Sequence, residues 1–372
     1  MITEVQPGIF RIEIPLPQNP LKAVNSYVIH GKRPLIIDTG LEHEACREVL
    51  LNSLQELRVK IAQSDVLLTH MHTDHSGLVY ELVQRGAQPY ASREDAALFN
   101  MRRGGEDFFR NYLLKCGFSV NSAVGTMLRQ PEFIRSREAV PFRLLAHGDL
   151  LVAGPYRLHC LKTPGHTPGH LCLYVEEKQV LFSGDHILQH ISPNISLWEE
   201  DSNPLADYLR ELRKLISLPV LLVLPGHRSL FSDCRSRIRK LIHNHEKRAE
   251  EVLKVMAGGE WLTVLDVAKQ MSWRLSYASF SDFPLSQQLF AAGEALAHLR
   301  YLESLGKVAR AEKGGVYRFQ ARNDFFENNQ GMREELSPLR RINFKGSSSL
   351  KFISEQNRRT GTVVRTGFMG DG

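Results

Sequence analysis

Between Thr69 and His75 the chain reads THMHTDH, which places three histidines and an aspartate side by side in a protein with only 15 histidines in 372 residues. Imidazole nitrogens and carboxylate oxygens are the donors that zinc-like divalent ions collect in sets of four or more. Val66-Leu67-Leu68-Thr69 reads as a buried strand, and His70 and His72, two apart in extended chain, project to the same side. On a helix the same pair would lie about 200° apart, so the spacing fits a strand end and not the helical HExxH pattern. Asp74 and His75 follow where Ser76-Gly77 opens the next helix. The chain bends there, and these two residues can face a neighbouring second ion.

One loop cannot complete such a centre, and three further runs supply donors: TPGHTPGH from Thr163 to His170, FSGDH from Phe182 to His186, and LPGH from Leu224 to His227. Each follows an apolar stretch of strand character, Leu158 to Leu161, Val180 to Phe182 and Val220 to Leu224. This places His166, Asp185 and His227 at strand ends on one edge of a sheet, with a glycine beside each to turn the backbone. Upstream, Gly8 to Pro15, Ala23 to His30 and Pro34 to Asp38 read as strands and Glu42 to Leu57 as a helix. The segment 93–141 is longer than a connection needs and reads as a helical insertion covering the pocket. Its Arg102, Arg103, Arg110 and Lys115 either favour an anionic substrate or face water.

The ligand runs, in this order, resemble the metallo-β-lactamase superfamily and in particular its glyoxalase-II-like hydrolase branch. The resemblance implies an α/β fold, a four-layer αββα sandwich over residues 1–257. It implies two divalent ions, zinc or else manganese or iron according to supply. His70, His72 and His166 would hold the first, Asp74, His75 and His227 the second, and Asp185 would bridge them. Asp38, in PLIIDTG, would support the ligand loop from behind. Paired ions ~3.5–4 Å apart hold a hydroxide between them at neutral pH; Asp74 is the residue placed to orient it and take its proton. No GxSxG elbow is present, so no serine nucleophile is expected. Flavodiiron proteins share the fold but carry Glu where His72 stands, which argues against redox chemistry. Among other histidines, His170 either supports the ligands or caps its turn, His186 either lines the pocket or is structural, and His190 either lines the pocket or is solvated. In the glutathione-specific members a lysine and a tyrosine follow the bridging aspartate; here that stretch reads HILQHISPNISLW and has neither.

At 372 residues the chain exceeds what one core usually holds. Gly258-Gly259 marks a boundary, after which Thr263 with Asp266 forms a capping signal, Leu262 and Val267 a staple, and Leu289, Ala292, Leu296 and Leu299 a helical stripe. A hairpin across Lys313-Gly314-Gly315 completes a small winged-helix-like domain at 258–321, and 322–372 reads as a largely disordered tail. The net charge of +6, 47 basic against 41 acidic residues, is weak support for a nucleic-acid partner. The basic run Arg235 to Lys240 reads as a solvated helix face. Five scattered cysteines without a CxxC pair, no basic-then-apolar start and no apolar run long enough to cross a bilayer point to the cytoplasm and to no membrane association.

These features predict a binuclear metal-dependent hydrolase cleaving an ester or thioester of a small, anionic molecule. The alternative is an endoribonuclease for single-stranded RNA that grips the strand with its C-terminal domain; a third reading is a non-catalytic nucleic-acid-binding regulator with a structural metal. A homodimer is compatible with all three.

Overall fold

A computed structural model describes residues 1–101, 106–119, 138–197, 199–273, 277–322 and 363–365. The first sheet has seven strands adjacent in chain order: β1 Ile2–Gln6, β2 Ile9–Pro15, β3 Ala23–Ile29, β4 Leu35–Ile37, β5 Asp65–Leu67, β6 Gln88–Ser92 and β7 Arg143–Leu145. β1 to β4 run antiparallel and β4 to β7 parallel. The second sheet contains β8 Leu150–Ala153, β9 Tyr156–Lys162, β10 Leu171–Val175, β11 Val180–Gly184 and β12 Leu222–Pro225. Its order is β12-β11-β10-β9-β8, with Val363–Arg365 lying parallel beside β8 as a sixth strand. The rest of the expected tail, 323–362 and 366–372, lies outside the described residues.

The strands are apolar on both faces, and their period of two divides each between two cores. Tyr27, Ile29, Leu35, Ile37 and Leu67 meet Leu158, Leu171, Leu173, Phe182 and Leu224 between the sheets. The intervening Val28, Ile36, Val66 and Leu68 turn outward onto Cys46, Leu50, Leu54, Val79 and Leu82. Those last belong to α1 Glu44–Glu56 and α3 Val79–Gln84. On the far side Cys172, Tyr174, Leu181 and Val223 meet a third core. Each fully buried aliphatic side chain contributes roughly 1.5–3 kcal/mol. Three cores between layers define the expected αββα sandwich.

The third core extends beyond the sheet. It includes Leu205, Tyr208, Leu209 and Leu212 of α6 Pro204–Leu215 and Ile238, Leu241, Val252 and Leu253 of α7 Cys234–Val255. α6 starts where Asn203 caps Ala206 N–H with proline next in line, and α7 where Asp233 caps Ser236 N–H. The chain after Gly259 adds to this same core. α8 Val264–Gln270 is opened by the Thr263/Asp266 capping box, and α9 Leu285–Ser304 buries Ala291, Ala292, Ala295, Leu296, Leu299 and Leu302. β14 Val308–Lys313 and β15 Val316–Ala321 pair antiparallel around Gly314 and Gly315, whose φ of +62° and +76° suit the tight turn. β13 Leu262–Thr263 joins β15 to complete a three-stranded sheet. Val264, Val267, Leu296, Leu299 and Phe319 thus pack in one continuous core with Tyr208 and Leu241. The three-stranded sheet with α8 and α9 shares its apolar side with the sandwich.

The insertion begins as helices α4 Arg93–Met101 and α5 Glu106–Cys116, with 102–105 and 120–137 outside the described residues. Leu113 and Cys116 sink into the third core, so α5 is anchored beside β15. Lys115 pairs with Glu200 and is not free to meet a substrate, Arg110 is exposed, and Arg102 and Arg103 lie outside the described residues. All five cysteines are reduced and buried. Among the described residues no helix is long and apolar enough to cross a membrane.

Candidate metal centre

β9, β11 and β12 all run the same way, because β9 and β11 flank β10 antiparallel and β12 is parallel to β11. Their C-terminal ends deliver His166, Asp185 and His227 to one edge of the second sheet. The C-terminal ends of β4 and β5 deliver Asp38 and the His70–His75 run from the first sheet. His72 caps the four-residue helix α2 Thr73–Ser76, which carries Asp74 and His75. All seven expected ligands meet here. His70, His72 and His166 form one set, Asp74, His75 and His227 another, and His70, His75 and Asp185 a third; within each set the donor atoms lie within 4.8 Å of one another. His75 Nε2 is 3.1 Å from His227 Nε2, and His70 Nε2 is 3.0 Å from His72 Nδ1. Asp185 lies 3.5 Å from both His75 and His227 and 3.7 Å from His166.

The strand expected at Val66 to Thr69 ends earlier, at Leu67. Two buried carboxylates take the main-chain donors that would have continued it: Thr69 N–H donates to Asp38 (2.8 Å) and Met71 N–H to Asp95 (2.9 Å). The histidines are brought together by this bent loop, not by strand alternation.

In His70, His75, His166 and His227 the ring nitrogen that faces away from the centre is engaged, and this fixes the atom that faces it. His75 Nδ1–H donates to Asp38 (2.8 Å), His227 Nδ1–H to the Ala23 carbonyl (2.7 Å), and His166 Nδ1–H to the Asn194 carbonyl (2.7 Å). Thr69 donates its hydroxyl to Asp38 (2.7 Å) and so can accept from His70 Nδ1–H at 3.0 Å. Nε2 lone pairs of His70, His75, His166 and His227 therefore point inward. Two lone pairs 3.1 Å apart repel unless a cation lies with them, and the carboxylates of Asp74 and Asp185 add negative charge beside them. The donor set and its protonation fit a pair of divalent ions.

In the absence of ions the same negative charge favours protons on His75 and His227. Burial opposes the charge on Asp74 and Asp185, but the neighbouring His75 and His227 outweigh it and hold both carboxyls below the usual range. Burial lowers His75 and His227 as well, yet Asp185 and Asp74 raise both, and Asp38 adds to the rise at His75. Burial, with neighbouring histidines adding to it, holds His70 well below its ordinary value. His70, His75 and His227 are fully buried, whereas Asp74 retains 16% exposure and marks the solvent side.

The remaining candidates separate cleanly. Asp38, at φ +59°, touches Thr69 and His75. His170 uses both nitrogens, one with Thr163 Oγ1 (2.8 Å) and Nε2 to accept from Asp185 N–H (3.1 Å), so it positions Asp185. His186 is fully buried behind the centre, its ring 4.9 Å from Tyr208, and burial together with His166 pushes it down to about 3. His190 is exposed and outside the cluster. Gly226 has no room for a side chain, because a Cβ would stand 2.5 Å from Asp185 Oδ1 and 2.7 Å from His75 Cε1.

Sequence reasoning missed Asp95. It is buried in α4 and accepts from Met71 N–H (2.9 Å), Thr167 Oγ1 (2.7 Å) and Gly169 N–H (2.7 Å), tying the loop of His70 and His72 to the loop of His166. Burial outweighs these bonds and raises its carboxyl to about 6. Its sequence signal, Ser92 three residues before Asp95, reads only as a helix cap, which it also is.

Comparison with known proteins agrees with this geometry. Residues 19–227 match the family described as the metallo-beta-lactamase superfamily, and residues 280–322 match the metallo-beta-lactamase-like C-terminal domain. The chain is 26% identical to the probable metallo-hydrolase YqjP of Bacillus subtilis, over 79% of this chain and 92% of that one. It is 30% identical to the human acyl-coenzyme A thioesterase MBLAC2, over 65% of this chain and 85% of that one. The crystal structure of a metallo-beta-lactamase family protein from Thermus thermophilus superposes with a TM-score of 0.73 at 29% identity, covering 86% of this chain and all of that one. With the αββα layers and the histidine-aspartate centre in place, these matches establish that the chain is a metallo-hydrolase of the metallo-beta-lactamase superfamily.

Proposed function

We propose that the protein is a binuclear metal-dependent thioesterase acting on a small, anionic acyl thioester. The observation that carries this is the division of seven inward-facing donors into two sets, with Asp185 within reach of both. His70, His72 and His166 would hold one ion and Asp74, His75 and His227 the other. Bound there, two divalent ions supply Lewis acidity, acidifying a water molecule and polarising the carbonyl under attack. Asp74, on the solvent side, orients the water and accepts its proton on the carboxylate oxygen not needed as a ligand. The hydroxyl oxygen bonds to the acyl carbon, the carbon–sulfur bond breaks, and the proton leaves with the thiolate, giving a carboxylic acid and a thiol. Asp38 and the Ala23 and Asn194 carbonyls hold the ligand rings so that no reorganisation accompanies the step.

The choice of thioester over other acyl or phosphoryl substrates is supported by the similarity to an acyl-coenzyme A thioesterase. The test is a panel of acyl-coenzyme A and acyl-pantetheine thioesters, oxyesters, a phosphodiester and a fluorescent single-stranded RNA, presented to zinc- and manganese-loaded protein and to the Asp185→Ala variant. Release of free thiol that depends on Asp185 is expected. Cleavage of the phosphodiester or RNA with no thioester turnover would replace this reading with the ribonuclease one.

A further inference from the structure

His166, a first-set ligand, has its outer nitrogen held by a loop and not by a sheet. Its Nδ1–H reaches the carbonyl of Asn194, in the connection between β11 and α6. That connection rests on two helices. At its start, Arg237 of α7 donates to the carbonyls of Leu188 and Ile191, so this part of the basic run turns inward and does not form a solvated face. At its end, the Asn194 side chain donates to the Phe290 carbonyl of α9 (3.3 Å) and accepts from the Ser196 hydroxyl (2.6 Å). α9 approaches Ser196 so closely at Gly293 that a Cβ there would lie 2.4 Å from Ser196 Oγ and 3.0 Å from Tyr112 Oη of α5.

We propose that the C-terminal segment sets the position of His166, with Asn194 and Gly293 as positioning residues that transmit the placement of α9 to this ligand. The inference rests on the binuclear reading and adds to it a role for residues 280–322. Asn194 is suited to the task because its two halves face opposite ways: the main-chain oxygen holds the ligand and the side-chain amide holds α9. Gly293 sets the distance. A methyl group at that position must push Ser196 away by roughly 1 Å to regain ordinary contact, and Asn194, tied to Ser196 through its side chain, moves with it. The bond at 2.7 Å to His166 is then stretched or lost, and the ring is no longer confined to the orientation that aims Nε2 inward.

The experiment is a competition titration of the full chain against a chromophoric zinc chelator, resolving the two binding steps. His166→Ala identifies which step belongs to the first set. Gly293→Ala should weaken that step by about 10- to 100-fold, the usual effect of losing a support behind a ligand, and leave the other unchanged. Adding Ser196→Ala, which removes the obstructing oxygen, should restore most of the loss. Asn194→Ala, which introduces no new bulk, should weaken the same step in the same direction and serves if Gly293→Ala does not fold. Leu299→Ala, buried in α9 away from the loop, should lower the melting temperature without altering either step. Wild-type affinity in both Gly293→Ala and Asn194→Ala, equal weakening of both steps, or the same weakening in Leu299→Ala would overturn the proposal. A wild-type chain that takes up no second ion defeats the binuclear reading itself, a result that no variant is needed to recognise.

Discussion

Replacing Asp38 with Asn should uncouple metal affinity from the stability of the metal-free fold. The carboxylate accepts from Thr69 N–H, from the Thr69 hydroxyl and from His75 Nδ1–H. An amide can keep the first bond, but its NH2 then faces Thr69 Oγ1 and His75 Nδ1. In the metal-free protein every group can adapt. The amide donates to both, His75 carries its proton on Nε2 and donates to His227 Nε2 at 3.1 Å, Thr69 donates to His70 Nδ1, and His70 Nε2–H donates to His72 Nδ1 at 3.0 Å. Once His75 is neutral no buried donor is orphaned, so at alkaline pH the urea midpoint of metal-free protein should barely move, whereas at lower pH, where Asp185 and Asp74 keep His75 protonated, loss of the Asp38–His75 pair should lower it. Binding metal now requires His70 and His75 to return their protons to Nδ1 against an amide that offers only donors. Each buried donor left without an acceptor costs about 1–3 kcal/mol, or roughly 5- to 150-fold in affinity for one such clash. Chelator competition on Asp38→Asn should show that loss, and activity at limiting zinc should fall in parallel while saturating zinc restores much of it. Unchanged affinity would refute the assignment of ring protons. An equal loss of metal-free stability at alkaline pH would show that the relay of donors does not adapt as argued.

Four further outcomes follow from the same contacts. Asp185→Ala should abolish turnover and lower bound metal below two ions per chain, measured by elemental analysis; a fully active variant would exclude the shared role of this carboxylate. Asp95→Ala leaves the Met71 and Gly169 N–H groups and the Thr167 hydroxyl without their acceptor, at about 1–3 kcal/mol each, so its urea midpoint should drop sharply even without metal; a shift near zero would show that water replaces the carboxylate freely. His245 and His298 are buried 3.3 Å apart between α7 and α9; burial holds both below the ordinary histidine value, with His298 and Arg248 adding to it at His245 and Glu294 opposing it at His298. Their folded values are depressed, so the unfolded chain binds more protons as pH falls below about 6.5, and stability is lost at up to roughly 2.7 kcal/mol per pH unit for the pair. Denaturation midpoints at successive pH values should show this slope, and His245→Gln with His298→Gln should flatten it; an unchanged slope would assign the acid lability elsewhere. Ending the chain after Arg322 removes the strand pairing of Val363–Arg365 with β8 and, among the described residues, no member of the three cores, so the melting temperature should fall little; a large fall would contradict that division.

The seven donors and the four layers were legible in the sequence for one reason: both are written in local patterns. A strand buried on both faces is a short apolar run, and a ligand at its end is a histidine or aspartate beside a glycine, as at Gly184-Asp185 and Gly226-His227. What was not legible depends on contacts between residues far apart in the chain. Asp95 looks like a helix cap until the loops of Met71 and Gly169 fold onto it. Asn194 has no sequence signal at all, because the atom that serves His166 is a main-chain oxygen that any residue would supply. The early end of β5 has the same origin: Val66 to Thr69 has strand character throughout, but Asp38 and Asp95 offer its last donors stronger partners than a neighbouring strand could.

The same division explains where the centre is robust and where it is sensitive. His75 and His227 are fixed by Asp38 and Ala23, which follow or begin strands of the first sheet, and the sheet's cores hold those acceptors in place. His166 depends on a loop whose own position is set by α7 and α9. Displacing a strand end costs many buried contacts, whereas displacing the loop costs a few hydrogen bonds of about 1 kcal/mol each. The two ion sites should therefore differ in how they respond to changes distant from the metals: substitutions in the C-terminal segment should register at the His70, His72 and His166 set and leave the Asp74, His75 and His227 set nearly unaltered.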